Sequence, residues 1–385
     1  MDFELSQEQV LFKDTVRRFT EEELAPYAEA SDLASEFSFE AWRKLGGFGL
    51  LGLHYPAEYG GQEADVLTAV LAGEAMGEGG ADGGLMLSLG AHTYLCGDTI
   101  LRHGNAAQKE RYLPRLASGE WIGCMGLTEP GAGSDAAAIT TRAERTGGGW
   151  LLNGTKTFIT NGPLADVAVI YAVTDKAAGH FGISAFVLEK GTPGFSTGKK
   201  MHKLGARSSA TSELFLENVE LPEDHLLGPE GSGFAIALQA LEWDRSALLA
   251  PFVGGVARCL RLCAKHSLVR EQFGRPIAEF QAIQLKLADL EVFVETARLL
   301  VYRVACCKDQ GKSLNHLEAS VAKLFTGDWG MRMASEALQI FGGYGFIHEY
   351  PVERLFRDVK LAQIGGGTSE IQRLVISKLL RERQA

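Results

Sequence analysis

The sequence predicts an α+β chain in three parts: an N-terminal helical domain over residues 1–120, a β domain over 121–228 and a C-terminal helical domain over 229–385. In the first and last thirds, apolar residues recur at helical spacing, whereas the middle third consists of short β-branched segments between turn signals. Because helices and strands are grouped in blocks, segregated domains are expected and a parallel βαβ sheet is not.

The first domain is predicted to be helical from its start. Ser6 and Gln9 have the spacing of a capping box, which marks a helix N-terminus. Apolar residues over 12–19 then follow helical spacing, and we expect Pro26 to end this helix. Further helical segments are predicted as far as about Leu116.

The middle domain is predicted to be an antiparallel β structure. Strands are expected at 167–173, 183–188 and 214–219, where β-branched and apolar residues dominate. The Asn-Gly pairs at 153–154 and 161–162 are strong hairpin-turn signals.

The last domain is predicted to hold long helices. A helix over 234–273 contains Pro251, which is expected to kink it because proline lacks the N–H that a helix interior needs. Helices are also predicted at about 281–309, 315–341 and 369–383. They are apolar on more than one side, which indicates burial between helices or between subunits.

Charge and targeting signals limit the function classes. The 385 residues carry a formal net charge of −10, and no basic run offsets it, so a nucleic-acid partner is not expected. The first residues have early acids and no continuous apolar stretch, unlike a signal or transit peptide. No segment is apolar enough to cross a membrane. We therefore expect a cytoplasmic protein with no membrane insertion.

Several common chemical motifs are absent from the sequence. It contains no phosphate-binding P-loop, no Gly-x-Gly-x-x-Gly after a strand, no His-Glu-x-x-His and no Gly-x-Ser-x-Gly. None of the six cysteines forms a Cys-x-x-Cys pair, so no metal site is predicted. Cys259 and Cys263 are interpreted as small buried residues, with a redox or metal role as the alternative.

Two segments have a composition suited to ligand binding. Residues 127–135 (LTEPGAGSD) are rich in small residues that let backbone N–H groups approach a flat or anionic ligand, although a plain tight turn has the same composition. Residues 365–373 (GGGTSEIQR) end a glycine run at a Thr-Ser helix cap, and helix N-termini bind phosphates. A plain loop with a cap is the alternative for the second segment.

Six segments in order carry a resemblance: 56–61 (PAEYGG), 128–135 (TEPGAGSD), 158–162 (FITNG), 270–277 (REQFGRPI), 339–345 (QIFGGYG) and 367–373 (GTSEIQR). With the α–β–α order, the chain resembles the acyl-CoA dehydrogenase family over essentially its whole length. The resemblance implies an acyl-CoA dehydrogenase-like fold, with an antiparallel β-barrel in the middle and a C-terminal helical bundle. It also implies non-covalent FAD between these two domains, and a homotetramer in which a neighbour touches each flavin.

Site residues follow from matching this sequence to the family motifs. The resemblance implies that the flavin ring is bound by Met125, Leu127, Thr128, Gly133, Ser134, Phe158, Ile159 and Thr160. It implies that the adenosine diphosphate part is bound, partly across the subunit interface, by Arg270, Phe273, Gln281, Gln339, Gly342 and Gly343, and that the cradle is completed by Thr368 and Glu370. The substrate is expected to be bound by Ser134, Glu242, Arg245 and Gly367.

The sequence departs from the family at the catalytic base. Many members have a glutamate directly before the Gly-Thr of the last motif, and here that position is Gly366. The Gly366 N–H is still expected, with a flavin ribityl hydroxyl, to bind the thioester carbonyl as an oxyanion hole. Glycine at 365 and 366 also removes a bulky wall, and Trp243 is a candidate to refill it.

A branch that resembles isovaleryl-CoA dehydrogenase and carrier-protein-linked dehydrogenases places the base just before an arginine of the long helix. Asp244 stands there in this chain. Three readings stay open: Asp244 as the base, Glu242 as the base after a register shift, or no side-chain base with Asp244 in an ion pair. Residues two apart on an α-helix point about 200° apart, so Asp244 and Glu242 are not expected to face the flavin together.

The implied function is FAD-dependent α,β-desaturation of an acyl thioester carried by CoA or by an acyl carrier protein. Electrons would pass to electron-transfer flavoprotein or another acceptor. A flavin oxidase or monooxygenase, and a non-enzymatic flavin-binding protein, are the alternatives. A carrier protein would need a basic docking patch, for which the candidates are Lys199, Lys200, His202, Lys203 and Arg207. A solvated charged face is the other reading of that patch.

Overall fold

The computed structural model describes residues 4–311 and 316–383, apart from the side chains of Asp244 and His316. The first domain contains the helices α1 (Gln7–Phe19), α2 (Ala25–Ala34), α3 (Phe39–Phe48), α4 (Val66–Gly79), α5 (Gly83–Leu89), α6 (Asp98–His103) and α7 (Ala106–Ser118). The capping box of Ser6 and Gln9 is confirmed at the start of α1. The expectation that Pro26 ends the helix is wrong: a π-helical turn (Thr20–Leu24) follows α1 and continues into α2, whose second residue is Pro26.

The middle domain is one sheet of β1 (Gly123–Gly126), β2 (Arg142–Thr146), β3 (Gly149–Thr160), β4 (Val167–Val173), β5 (Ile183–Glu189), β6 (Phe195–Thr197), β7 (Thr211–Pro222) and β8 (Leu226–Leu227). The strand order is β6-β7-β3-β2-β4-β5-β8, with β1 paired to β4. The strands at the two ends of this order, β6 and β8, do not pair with each other. The sheet is therefore open, and the predicted barrel is wrong. It is also mixed, because β1 and β2 each run parallel to β4.

One of the two turn signals misleads. The Asn-Gly pair at 153–154 lies inside β3, beside a register shift against β7, and does not form a hairpin turn. The tight turn instead connects β2 to β3 through Gly147 and Gly148, because Thr146 pairs with Gly149. The pair at 161–162 does lie in a turn, where Asn161 has a φ of 65°.

The last domain contains α8 (Gly233–Ala240), α9 (Ala250–Val269), α10 (Gln281–Asp309), α11 (His316–Phe341), α12 (Val352–Val359) and α13 (Ser369–Glu382), with a small hairpin of β9 (Glu271–Gln272) and β10 (Arg275–Pro276). The predicted long helix over 234–273 is interrupted, so that expectation is wrong. Pro251 occupies the first turn of α9, where it starts a helix and does not kink one. Residues 241–249 form the connection, with one 3₁₀ turn at Trp243–Arg245.

The largest core joins the two helical domains. Helices α4 and α9 approach so closely that a Cβ on Gly77 would lie 2.2 Å from the Pro251 carbonyl oxygen. A Cβ on Gly254 would lie 2.0 Å from the Glu74 carbonyl oxygen. This backbone-to-backbone contact fixes the start of α9, and therefore one end of the 241–249 connection. In the described ranges, every helix is too short or too polar to cross a bilayer.

Candidate active site

A cavity of about 560 Å³ lies between the sheet and the C-terminal helices. We call this space the main cavity. Its walls come from Leu87 and from four segments, residues 128–134, 158–160, 203–211 and 357–368. The two segments that the sequence singled out, 127–135 and 365–373, therefore contribute to opposite walls of one space. Its size is within the range of pockets that bind organic ligands and cofactors, about 300–1,000 Å³.

The 128–134 wall is held by a buried ion pair. Lys156, on β3, donates from Nζ to Glu129 Oε1 at 2.7 Å, and both side chains are almost fully buried. Backbone N–H groups of Thr140 and Thr141 also donate to the Glu129 carboxylate, at 2.6 and 2.9 Å. Burial alone would raise the pKa of Glu129, but the Lys156 charge and these hydrogen bonds lower it to about 2. Glu129 thus anchors the loop, whose residues Thr128, Gly133 and Ser134 line the cavity beside it.

Phe158 is an unusual residue on this wall. Its φ is 58°, in the left-handed region that bulky residues seldom adopt. Its side chain lines the main cavity and is 69 % exposed. Strained backbone of this kind is concentrated at ligand sites, and an exposed aromatic ring in a cavity offers a flat surface for a flat ligand.

The opposite wall is a glycine loop tied to α11 and α13. Gly366 and Gly367 have φ values of 62° and 91°, which favour glycine. Lys323 of α11 is buried and donates from Nζ to the Gly367 carbonyl oxygen at 2.6 Å. Gln372 Nε2 donates to the carbonyl oxygens of Gly366 and Gly367, each at 3.2 Å. These bonds fix the carbonyls of the loop.

The start of α13 is equally well fixed. Thr368 lines the main cavity and caps the helix by accepting the Ile371 N–H at 3.3 Å. Asp328 of α11 accepts hydrogen bonds from Ser369 Oγ and Gln363 Nε2, at 2.7 and 2.8 Å. The helix N-terminus, with its partial positive charge, therefore faces the cavity.

A second, smaller space adjoins the main cavity. This apolar pocket has a volume of about 80 Å³ and shares Leu87 and Leu361 with the main cavity. Gly365 lines the apolar pocket, whereas Gly366 lines the main cavity. The glycine loop therefore lies where the two spaces meet.

The 241–249 connection contributes differently from what the sequence suggested. Trp243 is buried, donates from Nε1 to Asp98 Oδ2 at 2.8 Å and stacks on Tyr94 with ring centroids 4.6 Å apart. It lines neither the main cavity nor the apolar pocket, so the expectation that it refills the wall at Gly365 is wrong. From the same connection, Ala247, Leu248 and Leu249 line the apolar pocket.

Sequence reasoning missed the polar cluster beneath this connection. Asp98 accepts hydrogen bonds from His54 and Arg102, at 3.1 and 2.6 Å, which together hold its pKa well below its usual range against the effect of burial. Lys308 lies 4.0 Å from the Trp243 ring centre, and burial lowers its pKa to about 8. These residues come from distant parts of the chain, so no local motif could have indicated the cluster.

The three residues proposed around the base are placed as follows. Asp244 has its backbone in the 3₁₀ turn, and its side chain lies outside the described part of the structure. Glu242 is 3.8 Å from Lys308 Nζ and lines neither space. Arg245 is partly buried and also lines neither space. Because the segment is not α-helical, the helical-wheel argument that separated Glu242 from Asp244 does not apply.

The residues matched to the adenosine diphosphate part lie elsewhere. Arg270, Gly342 and Gly343 line a third space of about 530 Å³, here called the outer cavity, which shares no lining residue with the main cavity. Phe273, Gln281 and Gln339 are exposed. One chain therefore does not bring the two predicted sets of cofactor residues together.

The remaining predicted site residues differ in how far they are buried, and only some of them line the main cavity. Gly367 and Thr160 line the main cavity, and Met125 is only partly buried in β1. Leu127 and Ile159 are buried in hydrophobic clusters and do not reach the cavity. Glu370 is exposed in the first turn of α13.

Within the basic patch, only Lys203 lines the main cavity, where it donates to Thr211 Oγ1 at 3.0 Å. Burial lowers the pKa of Lys203 to about 8. Lys200 donates to the Ser35 carbonyl oxygen. At least these two lysines are therefore engaged in intramolecular bonds.

The two cysteines of α9 are buried, as the sequence suggested. Cys259 and Cys263 are buried, and Cys263 donates to the Ala337 carbonyl oxygen at 3.5 Å. Over the described ranges, no group of histidine, cysteine and acidic residues is arranged to hold a metal ion.

Known proteins match this chain along its length. The family models for the N-terminal, middle and C-terminal domains of acyl-CoA dehydrogenases match residues 6–120, 124–219 and 231–380. An acyl-CoA dehydrogenase of Bacillus subtilis is 46% identical over 376 residues, which cover 98% of each chain. A mitochondrial isovaleryl-CoA dehydrogenase of rice, Oryza sativa, is 43% identical over 98% of this chain and 92% of its own.

Solved structures of similar proteins have the same fold as this chain. Butyryl-CoA dehydrogenase from Megasphaera elsdenii has a TM-score of 0.94 at 41% identity, covering 99% of this chain and 100% of its own. The prolyl acyl carrier protein oxidase AnaB has a TM-score of 0.95 at 37% identity, covering 98% and 100%. A structure described as the FAD complex of PigA has a TM-score of 0.96 at 34% identity, covering all of both chains. With three matching domain models in order and an open sheet between two helical domains, the chain belongs to the acyl-CoA dehydrogenase family, whose members are flavoprotein oxidoreductases acting on CH–CH bonds.

Proposed function

We propose that this protein catalyses the FAD-dependent α,β-dehydrogenation of an acyl thioester. The observation that carries the proposal is the junction at the glycine loop, where a main cavity of cofactor size meets an apolar pocket. A thioester lying across that junction would have its carbonyl at the loop and its hydrocarbon tail in the pocket.

The residues of the main cavity fit FAD. The strained, exposed Phe158 ring offers a flat aromatic surface, and the small residues Gly133 and Ser134 line the cavity beside it. Thr128, Thr160 and Thr368 line the cavity and supply hydroxyl groups that suit a polar heterocycle. When bound, FAD would supply a hydride acceptor for the substrate Cβ.

The backbone of Gly366 is assigned to the thioester carbonyl. An N–H donor aimed at an oxygen that gains negative charge as the α-proton leaves stabilises the transition state more than the ground state. Lys323 and Gln372 hold the loop from behind through the Gly367 carbonyl, so the amide is positioned before the substrate arrives. The substitution of the usual glutamate by Gly366 removes a base from this wall and leaves the amide.

Asp244 is our candidate for the base that removes the α-proton. The support comes from its match to the branch in which the base precedes an arginine, and from the engagement of the competing Glu242 with Lys308. The Trp243 contacts with Asp98, Tyr94 and Lys308 immobilise the turn that carries Asp244. A fixed backbone is what a short aspartate needs, since a small misplacement of a catalytic group is costly.

A complete cofactor site is proposed to need two subunits of a homotetramer. The separation of the main and outer cavities supports this, because the predicted adenosine diphosphate residues Arg270, Gly342 and Gly343 lie apart from the predicted ring residues. Helix α10 also exposes Leu285, Val292 and Leu299 at a spacing of seven residues, which forms one apolar stripe.

Anaerobic mixing of the purified yellow protein with acyl thioesters tests the function. Each acyl group is offered as a CoA thioester and loaded on an acyl carrier protein, and bleaching of the flavin band is followed. Reduction by at least one thioester is expected. A protein that cannot be reconstituted with FAD, or that no thioester reduces, would contradict the proposal.

A second candidate function is the oxidation of a carrier-bound acyl group with molecular oxygen. The resemblance to the prolyl acyl carrier protein oxidase AnaB favours it. Rapid oxygen consumption without an added electron acceptor, together with reduction by the carrier-bound thioester alone, would support this second candidate. Turnover that requires electron-transfer flavoprotein would support the first.

A further inference from the structure

We propose that the acyl group is a short hydrocarbon chain of roughly four to six carbons. This inference rests on the proposed function, and it concerns the apolar pocket beside the glycine loop. The pocket's volume is about 80 Å³. A closed apolar cavity of about 150 Å³ holds a benzene molecule, so the pocket holds roughly three carbons. The carbonyl carbon, Cα and Cβ would lie at the glycine loop, outside the pocket.

The lining of the pocket suits a hydrocarbon. Of the residues around it, all of which the structure describes, only Tyr94 and Lys323 carry polar groups on their side chains. The Lys323 ammonium group donates to the Gly367 carbonyl oxygen at 2.6 Å, so it is directed to the loop. A charged group at the end of the acyl chain would lose its hydration against apolar walls, which is unfavourable.

Two side chains, Met86 and Phe252, separate the apolar pocket from a second space and so limit the length of the acyl chain. We call this pair the partition. Behind the apolar pocket lies a smaller space of about 40 Å³, and Met86 and Phe252 line both. That smaller space is also lined by Arg258, Arg354 and Asp358, none of which lines the apolar pocket. A longer acyl chain would have to displace Met86 or Phe252 and would then press methylene groups against charged side chains. The structure therefore assigns chain-length selection to Phe252 and Met86.

The experiment measures kcat/KM for saturated acyl thioesters of four, six, eight and twelve carbons, each presented on CoA and on an acyl carrier protein. We expect the highest values at four to six carbons and a loss of roughly tenfold or more at eight. Calorimetric binding of trans-2-enoyl-CoA with four and with eight carbons gives a readout that does not depend on turnover. The shorter enoyl-CoA is expected to bind more tightly.

Variants of the partition and of the pocket sharpen the test. Phe252→Ala should join the two spaces and raise the eight-to-four-carbon ratio of kcat/KM by about tenfold or more. Phe181→Ala is the matched control, because Phe181 is 71 % exposed and lines neither space. Gly90→Ala should narrow the pocket and favour four carbons over six, since the new Cβ would lie 2.6 Å from Leu248 Cδ2.

The outcomes separate the two proposals. If no thioester of any length reduces the flavin, the proposed function fails. If the parent protein reduces its flavin with eight- and twelve-carbon thioesters as fast as with four, the function stands and the length limit is wrong. An unchanged ratio in a folded Phe252→Ala would overturn the role of the partition. Should that variant not fold, the parent series and the enoyl-CoA binding still decide the length limit.

Discussion

A single missing side chain, at Gly366, determines how the chemistry of this protein must differ from that of many relatives. The backbone N–H that would polarise a thioester carbonyl is kept, and the carboxylate that usually removes the α-proton is lost. In the proposed reaction the base would come from another element, and Asp244 is the candidate that matches the alternative placement implied by the resemblance.

Replacing Asp244 by asparagine tests this assignment. Asp244→Asn keeps the size of the side chain and removes its basicity, so flavin reduction by the substrate should slow by roughly a hundredfold or more. FAD content and the circular dichroism spectrum should stay unchanged. The measurement is the single-turnover rate of flavin reduction in stopped flow.

Two further variants control for this prediction. Asp244→Glu should retain substantial activity, because it restores the residue of the matching branch. Glu242→Gln should have little effect, since Glu242 contacts Lys308 and lines neither space. If Asp244→Asn is reduced at the parent rate, the base lies elsewhere and the oxidase alternative gains support.

At the scale of elements, the loop over 128–134 illustrates how a ligand-facing wall is held from behind. Glu129 belongs to the segment that the sequence singled out, yet its carboxylate faces Lys156 and the backbone of 140–141. Burying a charge is unfavourable unless it is paired and hydrogen-bonded, and here it is both.

Glu129→Gln should destabilise the protein by about 3–5 kcal/mol, because it leaves the Lys156 charge buried without its partner. The effect should also depend on pH. The folded pKa of Glu129 is lowered to about 2 from 4.5, so its stabilisation is complete above about pH 4.5 and is lost as the pH falls toward 2. Urea unfolding of the parent and of Glu129→Gln at several pH values measures this. Glu144→Gln, at an exposed position of β2, is the matched control, and an equal loss in it would contradict the role of Glu129.

The same scale shows what a sequence can and cannot predict. Helix starts with local signals, such as Ser6 and Gln9, were predicted from the sequence alone, because a capping box is contained within a few residues. The break in the helix over 241–249 was not predicted from the sequence, because a proline at 251 is compatible with either a kink or a helix start. Its placement depends on the contact of α4 with α9 and on Asp98, which lies far away in sequence.

For the candidate site, predicted residues from the segments 128–134, 158–160 and 366–368 line one cavity, whereas those matched to the adenosine diphosphate part do not. Thr128, Ser134, Phe158 and Thr368 are examples of the first group. Leu127 and Ile159 are not in that cavity, because their side chains are buried in hydrophobic clusters. The open sheet was also beyond sequence reasoning, since strand pairing between distant segments decides whether a sheet closes.

At the scale of the whole molecule, the exposed apolar stripe on α10 predicts assembly. We expect analytical ultracentrifugation at micromolar concentration to give about four times the chain mass of 41.6 kDa. Val292→Glu should shift the protein toward smaller species, because it places a charge in the middle of the stripe. Glu291→Gln, one residue earlier on the exposed surface, is the control. A mass near that of one chain in the parent protein would contradict the homotetramer.

The main cavity and the outer cavity of one chain are separate. Retention of FAD should therefore depend on protein concentration. If each FAD is held by two chains, then FAD binds only the assembled form, and by linkage it must also strengthen assembly. Dilution should then release flavin from an otherwise folded protein, and excess FAD should restore the larger species. The colour of the solution would report the oligomeric state.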